Sequence, residues 1–183
     1  MTSQKSQTIL AVDLDHTLID IDMIHIGLKY LLIHKIYLLP ILIILFFFKG
    51  KMRAKKYLYD NTIISLRDIP FNNSIIKFIE SNKSFYDHTI LISGSYHKYV
   101  EVIANSLNIF DSFKGTSIDI NMVGANKLTY LNAKFNNPIF DYIGDSKKDI
   151  PIWEEARKVF VVDHGNIIKF ITHLDYKIIS KRY

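Results

Sequence analysis

The stretch Thr8-Ile9-Leu10-Ala11-Val12-Asp13-Leu14-Asp15-His16-Thr17 decides the fold of this chain. Five strand-forming residues run straight into two carboxylates one residue apart, followed by a hydroxyl. Side chains alternate in direction along an extended chain, so Asp13 and Asp15 reach one site only if the backbone curls just after the first. That places them at the carboxyl end of a buried strand, where open α/β sheets bind their ligands. Two carboxylates in such a place are costly unless a cation or a reaction needs them. Taken alone, an Asp-x-Asp is as readily a turn or a helix cap.

The pattern recurs. Ile139 and Phe140 lead into Tyr142-Ile143-Gly144-Asp145-Ser146-Lys147-Lys148-Asp149, again an apolar run that ends in an acid. A helix starting near Ser146 puts Asp149 in its first turn, pointing back toward Asp145. Four acids, Asp13, Asp15, Asp145 and Asp149, then converge at neighbouring strand ends, and Mg²⁺ suits one or two carboxylates with waters and a phosphate. Helix capping accounts for the positions of Asp145 and Asp149 but not for the repetition. Between the two lies Thr89-Ile90-Leu91-Ile92-Ser93-Gly94-Ser95, an apolar run ending in hydroxyls and a glycine. With a helix behind it, Ser93 and the amides around Gly94 make an anion site, although Ser-Gly-Ser is also an ordinary strand-to-helix turn. Lys127 follows the turn-like Val123-Gly124-Ala125-Asn126. Beside four acids it reads as a buried cation that binds phosphate.

Strands are expected at about 8–13, 88–92, 112–116, 139–143 and 159–163, and helices at about 95–107, 124–135, 147–156 and 165–172. This alternation predicts an α/β chain with a Rossmann-like parallel sheet core. The interval 20–87 does not alternate and reads as a small helical cap inserted after the first strand, so the core is expected from 1–19 and 88–183. Within the cap, 36–48 is apolar apart from the Tyr37 hydroxyl, is interrupted by Pro40, and is followed by Lys49, Lys51, Arg53, Lys55 and Lys56. The run is shorter than the roughly 20 residues a spanning helix needs. Two readings stay open for 36–56: peripheral contact with an acidic membrane surface, or packing on itself or in a homodimer, with packing the favoured one. His25, His34, His88, His97 and His173 show no metal-ligand spacing, and only His97 lies near the Ser93 loop. His164-Gly165 reads as a strand-end turn and Asp163 as its cap.

The 183 residues suit one domain with a small insertion, and the chain has no cysteine, which excludes a disulfide framework and thiol chemistry. Residues 1–7 are polar and no signal peptide is expected, which suggests a cytoplasmic setting or the inner face of a membrane. The net charge of +5 includes the four site acids, so the remaining surface is more basic still. That favours anionic partners, a phosphorylated metabolite or an acidic lipid, with nucleic acid set aside.

In order and strand context, Asp13-x-Asp15-x-Thr17, Ile92-Ser93-Gly94, Lys127 and Gly144-Asp145-x-x-x-Asp149 resemble the four motifs of the haloacid dehalogenase-like hydrolase superfamily. Each motif is weak alone, but the ordered set, spanning about 9–162, is specific. Asp141-Tyr142-Ile143-Gly144-Asp145-Ser146 with Asp149-Ile150-Pro151-Ile152-Trp153 and the apolar insert look like the phosphatase-like domains fused to membrane prenyltransferases, although no series of transmembrane helices is present here. The resemblance implies that Asp13 is a nucleophile forming an aspartyl-phosphate. Asp15 then protonates the leaving alcohol and activates the water that breaks the intermediate. Thr17, Ser93 and Gly94 hold phosphoryl oxygens, and Lys127 offsets their charge. Mg²⁺ is bound by Asp13, the Asp15 carbonyl and Asp145, with Asp149 a ligand or a support behind them. The family most often has glycine where this chain has His16, a residue expected to fill the loop. The implied activity is Mg²⁺-dependent hydrolysis of a small or lipid-linked phosphomonoester. Phosphotransfer to an alcohol, a catalytically silent phospho-ligand binder and a dehalogenase remain as alternatives. Asp15 argues against the binder, and Asp15, Asp145 and Asp149 against the dehalogenase.

Overall fold

The computed structural model describes residues 7–162 and 166–180. Six parallel strands form one sheet in the order β3-β2-β1-β4-β5-β6: β1 (Thr8–Val12), β2 (His88–Tyr96), β3 (Ser112–Thr116), β4 (Ile139–Gly144), β5 (Lys158–Val161) and β6 (Tyr176–Ile178). The chain lays β2 and β3 on one side of β1, then returns to lay β4, β5 and β6 on the other. The order therefore reverses between β1 and β4, the place where such sheets open a crevice at their carboxyl ends.

The continuous apolar runs follow from a sheet covered on both faces. Leu10, Val12, Leu91, Ile143 and Phe160 join one buried cluster, while Ile9, Ala11, Ile90, Ile92, Phe140, Tyr142, Val159 and Val161 join the other. Helices α4 (Asn73–Asn82) and α5 (His97–Leu107) cover the first face, with Ile75, Ile79, Val100 and Ile103 buried. Helix α6 (Ala125–Phe135) and the short α7 (Ile150–Trp153) cover the second, with Leu131, Ile152 and Trp153 buried. Asn108 and Asn136 close α5 and α6 in left-handed conformation (φ 52° and 56°), a role asparagine tolerates better than most residues.

Between β1 and β2 stand three more helices, α1 (Met23–His34), α2 (Leu39–Ile44) and α3 (Lys51–Asp60). Asp22 starts α1 by accepting the Ile24 N–H at 2.7 Å. A 3-10 turn at Ile36–Leu38 and a π-helical turn at Leu45–Lys49 flank α2, and Gly50, at φ 89°, takes the left-handed corner into α3. The Tyr99 hydroxyl ties the end of α3 to α5 by donating to the Tyr59 and Thr62 carbonyls. Helix α4 lies within the expected cap interval, yet its Phe78 ring meets Phe160 of β5 at 4.8 Å, so it packs as part of the sheet's helical layer.

Four local expectations differ from the structure. Strand β2 runs on to Tyr96, with a register shift between Ser93 and Tyr96. The region 147–156 forms a 3-10 turn (Lys147–Asp149) and one turn of α-helix, because Pro151 sits at the start of the helix and supplies no N–H. Where a helix was expected at 165–172, the described part is a 3-10 turn, Ile167–Phe170, and the short strand β6 was not foreseen. Asp163, His164 and Gly165 lie outside the described residues.

Gly115 of β3 marks the closest approach of sheet and helix. A Cβ there would sit 2.6 Å from the His97 Cα and 2.8 Å from the Ser95 carbonyl. Backbone cannot yield cheaply, so Gly115→Ala is expected to destabilise the fold by about 1–3 kcal/mol, the usual cost of overpacking. A clear drop in thermal midpoint would show this, and an unchanged melt would contradict the packing described.

Candidate active site

Val12 is the last residue of β1, but Asp13 still donates its N–H to the Ile143 carbonyl of β4 at 2.9 Å. The curl comes next. The Leu14 carbonyl accepts from the N–H groups of Thr17, Leu18 and Ile19, and His16 adopts φ 57°. A histidine thus occupies the left-handed conformation that glycine takes without strain, and the two carboxylates before it, on either side of Leu14, meet different partners.

Asp13 turns toward β4 and α6. Its Oδ1 lies 2.8 Å from the Nζ of Lys127, which is itself 3.1 Å from Asp149 Oδ1. Lys127 also donates to the Tyr142 hydroxyl at 2.6 Å, and that hydroxyl donates to Asp149 Oδ1 at 2.8 Å. The other Asp149 oxygen accepts from the Ser146 N–H and hydroxyl and from the Asp145 N–H. Every strong direction around Asp149 is filled, which makes it a buttress. Burial works to raise its pKa, but Lys127, Tyr142 and Ser146 outweigh this and hold it below the usual carboxylate value.

Asp15 turns the other way, toward β2 and the cap. It accepts from Ser95 Oγ at 2.6 Å, from the Met23 N–H at 2.9 Å and from Ser93 Oγ at 3.3 Å. Burial first, and then the Asp22 carboxylate, push its pKa up. Asp145 has much weaker support: the Thr17 hydroxyl lies 3.5 Å from its Oδ1. Burial, with Asp13 and Asp149 adding repulsion, raises Asp145 to about 8, and burial raises Asp13 to about 7 against the pull of Lys127. Lys127, in turn, is held well above its ordinary value by Asp13 and Asp149 in spite of its burial.

The structure therefore brings Asp13, Asp145 and Asp149 together, with one carboxylate oxygen of each within 4.8 Å of the others. That donor set fits a hard, oxygen-seeking divalent cation. The Asp15 carboxylate stands outside this trio, on the opposite side of the pocket. The hydroxyls of Thr17 and Ser93 are buried against Asp145 and Asp15, whereas Gly94, Lys127 and the four acids line the cavity, whose volume is about 160 Å³. Five further lining residues were not singled out from the sequence as site residues. Ser95 holds Asp15, Lys148 enters from the turn after β4, and Asp22, Ile24 and Lys55 come from the cap. Lys55 donates to the Gly94 carbonyl at 3.0 Å. Tyr142 was missed too, although strand alternation from Phe140 aims it at α6. His97 accepts from the Gly115 N–H at 3.1 Å, a tie between α5 and β3.

No protein-family model matches the sequence. A protein of Sinorhizobium fredii described as uncharacterized, y4nM, is 31% identical over 165 residues, 90% of this chain. The chain spans about a third (31%) of the length of that relative. Among solved structures, a Bordetella pertussis Tohama I protein of unknown function aligns with a TM-score of 0.74 at 12% identity, covering 96% of this chain and 99% of its own. A haloacid dehalogenase family hydrolase from Salmonella enterica serovar Typhi gives 0.64 at 16% identity, over 94% and 68%. Phosphoserine phosphatase in apo form gives 0.63 at 14% identity, over 97% and 95%. The chain has a Rossmann-like α/β fold with a helical insertion after its first strand. That fold is the one found in the haloacid dehalogenase-like phosphatases.

The raised carboxylates set a pH dependence. Asp13, Asp15 and Asp145 hold protons more tightly folded than unfolded, where an aspartate titrates near 3.9. Their contribution to stability is full below about pH 4; for Asp13 and Asp145 it is lost as pH rises through about 7 and about 8, and Asp15 acts in the same direction. Asp149 acts oppositely, and its contribution is lost only as pH falls below the ordinary carboxylate range. In chelator, the thermal midpoint is expected to fall between pH 5 and pH 8, and Asp145→Asn to flatten that fall. A midpoint rising over this interval in the parent protein would overturn the assignment.

Proposed function

We propose that the protein is a Mg²⁺-dependent phosphomonoester hydrolase of the haloacid dehalogenase-like superfamily. It acts through an aspartyl-phosphate on a small or lipid-linked phosphorylated substrate. The observation that carries this reading is the division of labour between Asp13 and Asp15, which leave one strand end and face opposite sides of one pocket. Asp13 lies beside Lys127 and the Asp145–Asp149 pair, which supports its meeting a phosphoryl group. Asp15 sits against the cap, where burial raises its pKa, the direction a general acid needs. The phosphatases that share the fold support the same reading.

An oxygen of Asp13 attacks phosphorus in line with the ester oxygen, and the P–O bond to the alcohol breaks. Asp15 gives its proton to the departing oxygen. Water enters on the side the alcohol has left, Asp15 takes a proton from it, and the new oxygen displaces Asp13 from phosphorus. Phosphate leaves, and both carboxylates return to their starting states. Lys127 balances charge on Asp13 and the phosphoryl oxygens throughout, while Tyr142 and Asp149 hold its ammonium in place. Amides near Gly94 complete the phosphoryl cradle, while the buried hydroxyls of Thr17 and Ser93 brace Asp145 and Asp15 behind it. Asp13, Asp145 and the Asp15 carbonyl would hold Mg²⁺, which supplies charge neutralisation between the anionic nucleophile and the anionic substrate.

With an aryl phosphate as substrate, hydrolysis is expected only when Mg²⁺ or a similar divalent ion is present. Asp13→Asn should abolish turnover with the fold intact. Asp15→Asn should slow hydrolysis by at least about 100-fold, the lower bound for loss of a general acid–base, while leaving phosphorylated protein detectable by mass spectrometry. Undiminished release of phosphate in chelator would remove the metal, and near-normal turnover by Asp13→Asn would remove the covalent mechanism.

A further inference from the structure

The tip of the cap serves neither the core nor the site. No residue between Ile36 and Lys49 is buried, although 36–48 is almost wholly apolar. Tyr37, Phe47 and Phe48 are 69%, 74% and 79% exposed, and Ile36, Ile41, Ile43, Ile44 and Phe46 are exposed beside them. Soluble monomers rarely leave a contiguous apolar patch beyond a few hundred Å² uncovered.

Charge identifies what covers it. Between Asp22 and Asp60 the chain carries Lys29, Lys35, Lys49, Lys51, Arg53, Lys55 and Lys56 and no acid at all. Lys35, Lys55 and Lys56 are engaged within the protein, with the Asn61 carbonyl, the Gly94 carbonyl and the Asp60 carboxylate respectively. Lys49, Lys51 and Arg53 are exposed immediately behind the three phenylalanines, and among the described residues they make no ion pair. A second copy docked on this tip would bring the same cations against one another with no acid of the segment to meet them. A bilayer interface with anionic headgroups accepts both features, apolar side chains below and ammonium groups at headgroup level. No single helix among the described residues is long and apolar enough to cross a membrane. Met23–His34 and Ile36–Lys49 are bent 116° from each other, a shape that can rest on a surface.

We infer that 36–53 is a membrane-docking tip that inserts its apolar side chains into an anionic lipid interface and anchors them with Lys49, Lys51 and Arg53. The docking is independent of the proposed reaction. Its consequence for the site lies in α3, which begins at Lys51 on the tip and lines the pocket with Lys55, about 6 Å further along the helix at 1.5 Å per residue. Docking therefore holds the pocket mouth next to the headgroups.

Co-sedimentation of the full chain with vesicles tests this, using phosphatidylcholine alone and phosphatidylcholine mixed with phosphatidylglycerol. Binding is expected to the mixed vesicles and to weaken as salt rises. Replacing Lys49, Lys51 and Arg53 together with alanine should lower partitioning on the order of 100-fold, from about 1 kcal/mol per cation. Phe47→Ser with Phe48→Ser should abolish binding without changing the thermal midpoint, since both rings are exposed. Asp13→Asn should bind like the parent, so failure of the catalytic reading leaves the docking intact. Absence of binding to the mixed vesicles would overturn the inference. So would a dimer that the serine pair dissociates, or equal binding by parent and serine pair.

Discussion

The structure depends on one buried ammonium. Lys127 lies among Asp13, Asp149 and the Tyr142 hydroxyl, at 2.8, 3.1 and 2.6 Å. Its neighbours come from β1, β4 and the turn that follows β4, so the contact joins the two strands at which the sheet reverses its order. A buried charge is tolerated only when paired and hydrogen-bonded, and this set meets that condition for Lys127 and Asp149. Asp13 and Asp145 are left with less than they need. The geometry that secures the lysine thus concentrates unsatisfied negative charge at the mouth of β1 and β4.

Another buried acid shows that the chain can neutralise a carboxylate when the fold requires it. Asp141 is fully buried in β4, yet Arg157 meets both of its oxygens at 2.8 and 2.7 Å, and Tyr86 donates to one at 2.7 Å. Four residues further along the chain, Asp145 has a hydroxyl at 3.5 Å. The pocket is lined by five carboxylates, Asp13, Asp15, Asp22, Asp145 and Asp149, against three ammonium groups, Lys55, Lys127 and Lys148. A phosphate dianion entering that field meets repulsion, whereas a divalent cation relieves it. The charge count supports metal and phosphate arriving as partners, and it argues against a site evolved for an anion alone.

Much of this was legible in the sequence, because strands buried on both faces read as unbroken apolar runs and their ends are where polar chemistry begins. β1, β3 and β4, at Thr8–Val12, Ser112–Thr116 and Ile139–Gly144, fall close to the expected 8–13, 112–116 and 139–143. The end of β2 was not legible. Ser93-Gly94-Ser95 is small and polar and reads as a turn, whereas the strand continues through a register shift to Tyr96. Strand β6 was hidden because Tyr176–Ile178 lies at the sheet edge, half exposed, and lacks an apolar run. The four acids were found, but not the direction each faces. That direction emerges only in the contacts each makes, Asp13 with Lys127 and Asp15 with Ser95 and the Met23 N–H. Ser95 and Lys55 escaped notice because their roles arise from contacts across the fold, with Asp15 and the Gly94 carbonyl.

The cap joins the site and the surface through one helix. The cavity of about 160 Å³ is smaller than the roughly 300 Å³ at which pockets begin to enclose drug-sized ligands. A phosphoryl group and its immediate ester can lie within it, and the remainder of a larger substrate must pass the cap. Residues contributed there, Asp22, Ile24 and Lys55, belong to α1 and α3 or to the cap of α1. The same two helices carry the apolar tip on their connection. Whatever fixes the position of the tip therefore bears on the side chains that the cap contributes to the pocket. A tip seated in an anionic interface would present the pocket mouth to molecules whose phosphate lies at headgroup level, which favours the lipid-linked form of the proposed substrate over the freely diffusing one.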